Sequence, residues 1–120
     1  MKISNPTAKL GEEHAAKFLK KKGYKIIDRN FRKGYGEIDI ITIKDKTLIF
    51  IEVKTRTGSL YGTPFEQIAP FKIHSLVRTA QFYKLNNPKL PDSLRIDAIG
   101  VILDSNNNVQ KIEHIENISS

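Results

Sequence analysis

Apolar residues recur at helical spacing in two segments of the chain. Asn5 and Pro6 are typical of a helix start, because an asparagine side chain caps the first turn and proline fits its first position. Gly23 follows a lysine run and predicts the end of that helix. A second helix is predicted to begin at Pro70 and to end near Asn86. The apolar stripes are Ala8, Ala15, Phe18 and Leu19 in the first helix, and Ile73, Leu76, Val77 and Ala80 in the second.

Five further segments have the composition of β-strands: 24–30, 37–44, 47–55, 94–103 and 109–115. The second and third flank Asp45 and Lys46, a short polar break that is typical of a β-hairpin. Residues 48–51 are apolar at every position, which predicts a central strand covered on both faces. The order α-β-β-β-α-β-β predicts one layered α/β domain over residues 1–120, with a loop at 57–70 and a frayed tail at 116–120.

The register of the hairpin gathers charged residues. A symmetric turn places Asp39 opposite Glu52 and Glu37 opposite Lys54, and strand alternation puts Glu52 and Lys54 on one face. Two adjacent carboxylates are unfavourable without a counter-charge, and a divalent cation such as Mg²⁺ held by Asp39 and Glu52 would provide one. The alternative is a solvated network of surface charges. The apolar sequence around Glu52 favours a site, because charges in such a strand are costly.

Glu12 is a third acidic residue that bears on this site. It lies on or beside the apolar stripe of the first helix, so its carboxylate could reach a metal at the sheet directly or through water. The alternative is a pair with a neighbouring lysine on the same helix.

The charge balance adds a class of partner. Lys and Arg number 20 against 13 Asp and Glu, a formal net charge of +7, which favours phosphate polyanions or anionic membranes. The absence of cysteine excludes disulfides and thiolate zinc sites. The sequence has neither the apolar run of a signal peptide nor the roughly 20 apolar residues of a membrane span, so the cytoplasm is the expected location.

Two short motifs carry a resemblance to known nucleases. Residues 36–39 read GEID and residues 51–56 read IEVKTR, which together resemble the PD-(D/E)xK motif, although Ile38 stands where that motif has proline. The whole chain is similar to the YraN family of uncharacterised bacterial proteins. The matching positions are Glu12 with Ala15, the two motifs, the YGTP of residues 61–64, Lys72, and the RID of residues 95–97.

The resemblance implies a restriction-endonuclease-like fold with a central mixed sheet flanked by helices, close to Holliday-junction resolvases. It implies that Asp39, Glu52 and Glu12 bind metal with the carbonyl of Val53, and that Lys54 is catalytic. The cofactor implied is Mg²⁺ or Mn²⁺ and the partner is DNA, with a homodimer as an option for a two-armed substrate.

Other charged residues admit two interpretations each. Lys33, Arg56 and Lys72 are candidates for phosphate contacts or ordinary surface residues, and Lys72 lies in the first turn of the second helix. Arg95 and Asp97 share a strand face and are expected to form a structural ion pair. Our leading hypothesis is a metal-dependent endonuclease acting on structured or branched DNA. The alternatives are a non-catalytic nucleic-acid-binding module and a protein-interaction subunit with a vestigial site.

Overall fold

The fold is described from a computed structural model, which covers residues 5–34, 36–58 and 68–119. Its elements are α1 (Pro6–Lys21), β1 (Lys25–Lys33), β2 (Gly36–Lys44), β3 (Thr47–Thr57), α2 (Pro70–Leu85), β4 (Ser93–Leu103) and β5 (Val109–Ile115). This order confirms the predicted α-β-β-β-α-β-β arrangement. Tyr35 and most of the predicted loop at 57–70, including the YGTP motif, lie outside the described residues.

The five strands form one mixed sheet in the order β1-β2-β3-β4-β5. β3 and β4 run parallel, whereas the other neighbouring pairs are antiparallel. β3 is the middle strand, as its continuous apolar run predicts, and its residues Leu48 to Ile51 are buried. Glu52 is the first charged residue after this apolar run, so β3 carries a carboxylate in the middle strand of the sheet at that point.

Each face of the sheet is covered by one helix. Alternate residues of β3 divide between the two cores, because Ile51 packs with the α1 residues Ala15 and Leu19 while Phe50 packs with Leu76 and Ala80 of α2. Among the helices of the described residues, none is long and apolar enough to cross a membrane.

Both helices approach the sheet through a glycine. A Cβ atom on Gly11 of α1 would lie 1.8 Å from Oγ1 of Thr55, and one on Gly36 of β2 would lie 1.8 Å from Oγ1 of Thr79. Such distances are shorter than any van der Waals contact, so only glycine permits this packing. These contacts fix α1 against the end of β3 and α2 against the start of β2, on either side of the acidic motifs.

The helix ends follow the predicted signals. The Asn5 side chain accepts hydrogen bonds from the backbone N–H groups of Thr7 and Ala8, which satisfies two donors of the first turn. Gly23 lies just past α1 with φ +88°, a left-handed conformation that glycine adopts without strain.

The predicted fraying of residues 116–120 is corrected for the start of this segment. The backbone N–H of Asn117 donates to the Asp97 side chain, and that of Ile118 donates to the Ile96 carbonyl at 2.7 Å. Ile118 also packs against the α2-side core. These bonds hold the backbone of the segment to β4, and the bond from Asn117 adds a further donor to the buried Asp97 carboxylate.

Candidate active site

The β2–β3 hairpin opens at the acidic motifs. The predicted register holds from Lys44–Thr47 to Ile40–Ile51 and the ladder ends there. The prediction that Asp39 pairs directly with Glu52, and Glu37 with Lys54, is therefore wrong in detail. β2 continues to pair with β1, where Glu37 lies opposite Arg32, and β3 continues to pair with β4.

The opening has a local cause in the conformation around Asp39. Ile38 packs in the α2-side core and Ile40 in the α1-side core, although a regular strand would place both on one face. The break in alternation turns the Asp39 side chain towards β3, where Oδ2 accepts a hydrogen bond from the Val53 backbone N–H at 2.7 Å. A side chain thus replaces the next rung of the ladder.

Asp39 is a buried acid, with only 9% of its surface exposed. Burial raises the pKa of its carboxyl to about 8, with the Glu52 charge and a hydrogen bond to Glu52 adding to the effect. The Val53 N–H lowers the pKa, and the Glu12 charge raises it, but both effects are smaller. Without a cation, burial and the neighbouring Glu52 therefore favour the protonated form of the Asp39 carboxyl near neutral pH.

Glu52 faces the α2 side of the sheet, where a cation already contacts it. Its Oε2 atom lies 3.3 Å from Nζ of Lys72, and the Glu52 side chain is 12% exposed. Lys72, in the first turn of α2, therefore lies at the acidic pair. Its position in the sequence did not predict this contact. Lys72 partly offsets the charge that the Glu52 carboxylate carries next to Asp39.

Glu12 approaches from the opposite helix. Its Oε1 atom accepts a hydrogen bond from Nδ2 of Asn30 at 2.9 Å, so the carboxylate is oriented by β1. Its charge raises the pKa of Asp39, an effect smaller than those of burial, Glu52 and the Val53 N–H. The alternative predicted for Glu12 is an ion pair with a lysine on α1. The hydrogen bond that orients it comes instead from Asn30 on β1.

The remaining predicted residues, Lys54, Arg56 and Lys33, lie on β3 and β1. Lys54 is partly buried on β3, on the face of Glu52 by strand alternation. Arg56 is exposed and donates to the Thr55 carbonyl. Lys33 is the last residue of β1, and its Nζ atom lies 4.7 Å from the centre of the Phe82 ring.

The donor set can be tested for its fit to a divalent cation. Among the described residues, no three side chains of His, Asp or Glu stand close enough together to hold a metal ion. Buried Asp39 and nearly buried Glu52 nevertheless form a pair of hard oxygen donors within hydrogen-bonding reach of each other. Mg²⁺ commonly binds through one or two carboxylates and completes its shell with water and substrate oxygens, so a two-acid site fits it.

A second charged network lies away from the pair and involves a histidine that the sequence pattern did not single out. Asp97 is fully buried and accepts hydrogen bonds from Arg95, from His114 and from the Asn117 backbone. Burial disfavours its charge, but the bonds from His114 and Arg95 outweigh burial and lower the pKa of Asp97. This confirms the predicted Arg95–Asp97 ion pair and gives it a structural role beneath α1.

Relatives of this chain place it in a family. The model of "Uncharacterised protein family UPF0102" matches residues 11–101, a span that contains Glu12, both acidic motifs and Lys72. This chain belongs to the UPF0102 family. The UPF0102 family is classed with the PD-(D/E)xK nuclease superfamily, which agrees with the resemblance of the GEID and IEVKTR motifs.

Several UPF0102 proteins resemble this chain over most of its length. The protein from Syntrophomonas wolfei is 40% identical over 107 residues, which cover 89% of this chain and 91% of the relative. The protein from Thermotoga maritima is 43% identical over 110 residues, or 92% of this chain and 94% of the relative. That from Chloroherpeton thalassium is 45% identical over 96 residues, or 80% and 74%.

One solved structure, Pyrococcus furiosus SfsA in complex with Ca²⁺, matches at a TM-score of 0.36 and 19% identity. The match covers 91% of this chain and 60% of that one. The likeness is too weak to bear on the fold or the site of the UPF0102 chain.

Proposed function

We propose that this protein is a metal-dependent endonuclease that hydrolyses phosphodiester bonds in structured or branched DNA. The observation that supports the proposal most is the buried Asp39–Glu52 pair at the opening of the hairpin. Two acids held together out of water oppose ionisation of the pair, and groups with pKa values shifted in this way are concentrated at functional sites. The chemistry of the pair suits a divalent cation.

Mg²⁺ or Mn²⁺ would be held by Asp39 and Glu52, with Glu12 and the Val53 carbonyl as further ligands. Such a cation, when bound, stabilises charge on a phosphoryl oxygen and lowers the pKa of a water molecule. The protein contributes the positions of the ligands. Asn30 orients Glu12, and the Val53 N–H orients Asp39.

The lysines supply positive charge around the scissile phosphate. Lys54 would bring its ammonium group to the phosphate from the strand that carries Glu52, where it stabilises charge that develops during hydrolysis. Lys72, Arg56 and Lys33 would contact neighbouring phosphates, which a net charge of +7 favours. Lys72 has the additional effect of neutralising Glu52 before a cation binds.

Cleavage of a four-way DNA junction and of a linear duplex with the same sequence tests the proposal. Wild type should cut the junction in Mg²⁺ or Mn²⁺ and not in EDTA. Glu52→Gln and Lys54→Ala should each lower the rate on the order of 10²-fold or more, since each removes a group from the charged site. Asp45→Asn, at the exposed end of the hairpin, is the matched control and should cut like wild type. Metal-independent cleavage, no cleavage in any metal, or full activity of Glu52→Gln would overturn the proposal.

A second candidate is a nucleic-acid-binding module without turnover. The Lys72–Glu52 ion pair favours it, because an ammonium group then takes the place of a cation at Glu52. This candidate predicts salt-dependent DNA binding that neither EDTA nor Glu52→Gln changes, since affinity would come from peripheral cations. A protein-interaction subunit predicts no DNA binding even at low salt.

A further inference from the structure

A cleft of about 410 Å³ lies between α2 and the end of the β1–β2 hairpin. Its volume is within the range of clefts that hold small ligands. Lys33 and Gly36 contribute to one wall, and residues of α2 from Phe71 to Phe82 contribute to the other. No Asp or Glu is among the described residues that line it.

The charged side chains of the cleft are all basic. Lys33 comes from β1 and Arg78 from α2, so positive charge is contributed from both walls, and the imidazole of His74 lies on the α2 wall. A concave surface with one sign of charge concentrates ions of the opposite sign. Phosphate groups are the anions that the basic composition of the chain already favours.

The cleft also offers an aromatic ring to solvent. Phe71 is 78% exposed and contacts no other aromatic ring of the described residues. Phe82 differs, since it stacks with Phe31 at 6.4 Å and has the Lys33 ammonium 4.7 Å from its ring centre. An open ring beside cations is the combination by which proteins bind single-stranded nucleic acid, with bases on the ring and phosphates on the cations.

The cleft is connected to the acidic pair through two elements. Phe71 precedes Lys72, the residue whose ammonium group contacts Glu52 at 3.3 Å. Gly36, in the other wall, begins the strand that carries Asp39. The cleft and the two carboxyl groups therefore share α2 and β2 as supporting elements.

We propose that this cleft binds an unpaired nucleotide of a DNA strand, with its base stacked on Phe71 and its flanking phosphates on Lys33 and Arg78. The substrate class is then DNA in which unpaired nucleotides adjoin a duplex, as at a flap or an open junction. This assignment rests on the proposed function for what happens to the strand next, and on the cleft alone for binding.

Fluorescence anisotropy in EDTA tests the binding without involving the acidic pair. A labelled single-stranded oligonucleotide and a blunt duplex of equal length are titrated with wild type, Phe71→Ala and Phe71→Trp. Phe71→Ala should weaken single-strand binding roughly fivefold to hundredfold, the range for loss of one stacked base. Duplex binding should change less, and Phe71→Trp should keep the single-strand affinity. The control is Leu85→Ala, which removes an equally exposed apolar side chain of α2, 79% exposed, outside the cleft.

The charge contacts are tested in the same assay by salt titration. Arg78→Gln should lower the slope of log affinity against log salt by about one, because one phosphate contact is lost. Lys89→Gln, an exposed lysine outside the cleft, is the control and should leave the slope unchanged.

Three results would overturn the assignment: equal binding by Phe71→Ala and Leu85→Ala, equal loss on single strand and duplex, or no binding of either DNA by wild type at low salt. Single-strand binding that depends on Phe71 in a protein that cleaves nothing would support the cleft and refute the nuclease. Metal-dependent cleavage unaffected by Phe71→Ala would do the reverse.

Discussion

Replacing Asp39 with asparagine should remove a pH dependence that this carboxyl group imposes on the stability of the metal-free protein. Burial and Glu52 raise the pKa of Asp39 from 3.8 to about 8 in the folded state. The folded protein therefore keeps a proton that the unfolded chain loses above about pH 4. The free energy of unfolding that this group contributes is full below that pH and falls as the pH rises towards about 8.

The size of the effect follows from the shift. Each pKa unit corresponds to about 1.36 kcal/mol, so between about pH 5 and about pH 8 wild type should lose on the order of 4 kcal/mol through this group. That is a large part of the stability of a typical domain, about 5–15 kcal/mol. Asparagine mimics the protonated acid, because its oxygen can still accept from Val53 and its NH₂ can still donate to Glu52.

Urea unfolding in EDTA at about pH 5 and about pH 8 measures the effect. The difference in unfolding free energy between Asp39→Asn and wild type should grow in favour of the variant as the pH rises. Asp45→Asn removes an exposed carboxylate at the hairpin turn and serves as the control. A difference that stays constant over this range would refute the buried, proton-sharing pair.

Three other substitutions test the packing and the charges around the site. Gly36→Ala should destabilise the fold by about 1–3 kcal/mol, because its Cβ would lie 1.8 Å from Thr79 Oγ1, and thermal unfolding of the double variant with Thr79→Ala should show partial recovery. Asp97→Asn should cost about 3 kcal/mol in urea unfolding and remove a loss of stability expected below about pH 4, since a carboxylate with a lowered pKa stabilises the fold above its ordinary value. Lys72→Ala should raise Mg²⁺ affinity a few-fold in calorimetry, because Glu52 loses a competing cation.

A specific result would contradict each of these three predictions. Failure of Thr79→Ala to restore any stability would show that the clash at Gly36 is not the cause. If Asp97→Asn still lost stability below about pH 4 as wild type does, a group other than Asp97 would be responsible for that loss. Unchanged or weaker Mg²⁺ binding by Lys72→Ala, with weaker DNA binding, would mean that Lys72 serves the phosphate and not Glu52.

Most of the fold was predictable because its signals are local. The cap at Asn5, the left-handed Gly23 and the continuous apolar run at residues 48–51 each depend on a few neighbouring residues. The hairpin register also held up to Ile40–Ile51, since the two-residue turn fixes the pairing.

The detail of the site was not predictable from spacing because it departs from regular geometry. Regular pairing would place Asp39 opposite Glu52. In the structure the alternation of β2 breaks at Asp39, and the Asp39 carboxyl accepts a hydrogen bond from the Val53 N–H. The Lys72–Glu52 contact depends on how α2 lies on the sheet, which no local pattern encodes. His114 likewise meets Asp97 only because β5 pairs with β4.

Calorimetric titration of Mn²⁺ into wild type and Asp39→Asn, in buffers with different ionisation enthalpies, measures both metal affinity and proton release. The buried pair predicts that wild type binds the ion near neutral pH with release of close to one proton, the one that Asp39 shares with Glu52, and that Asp39→Asn neither binds comparably nor releases it. Binding without proton release, equal binding by the variant, or no binding by wild type would contradict a metal site at these two carboxyl groups.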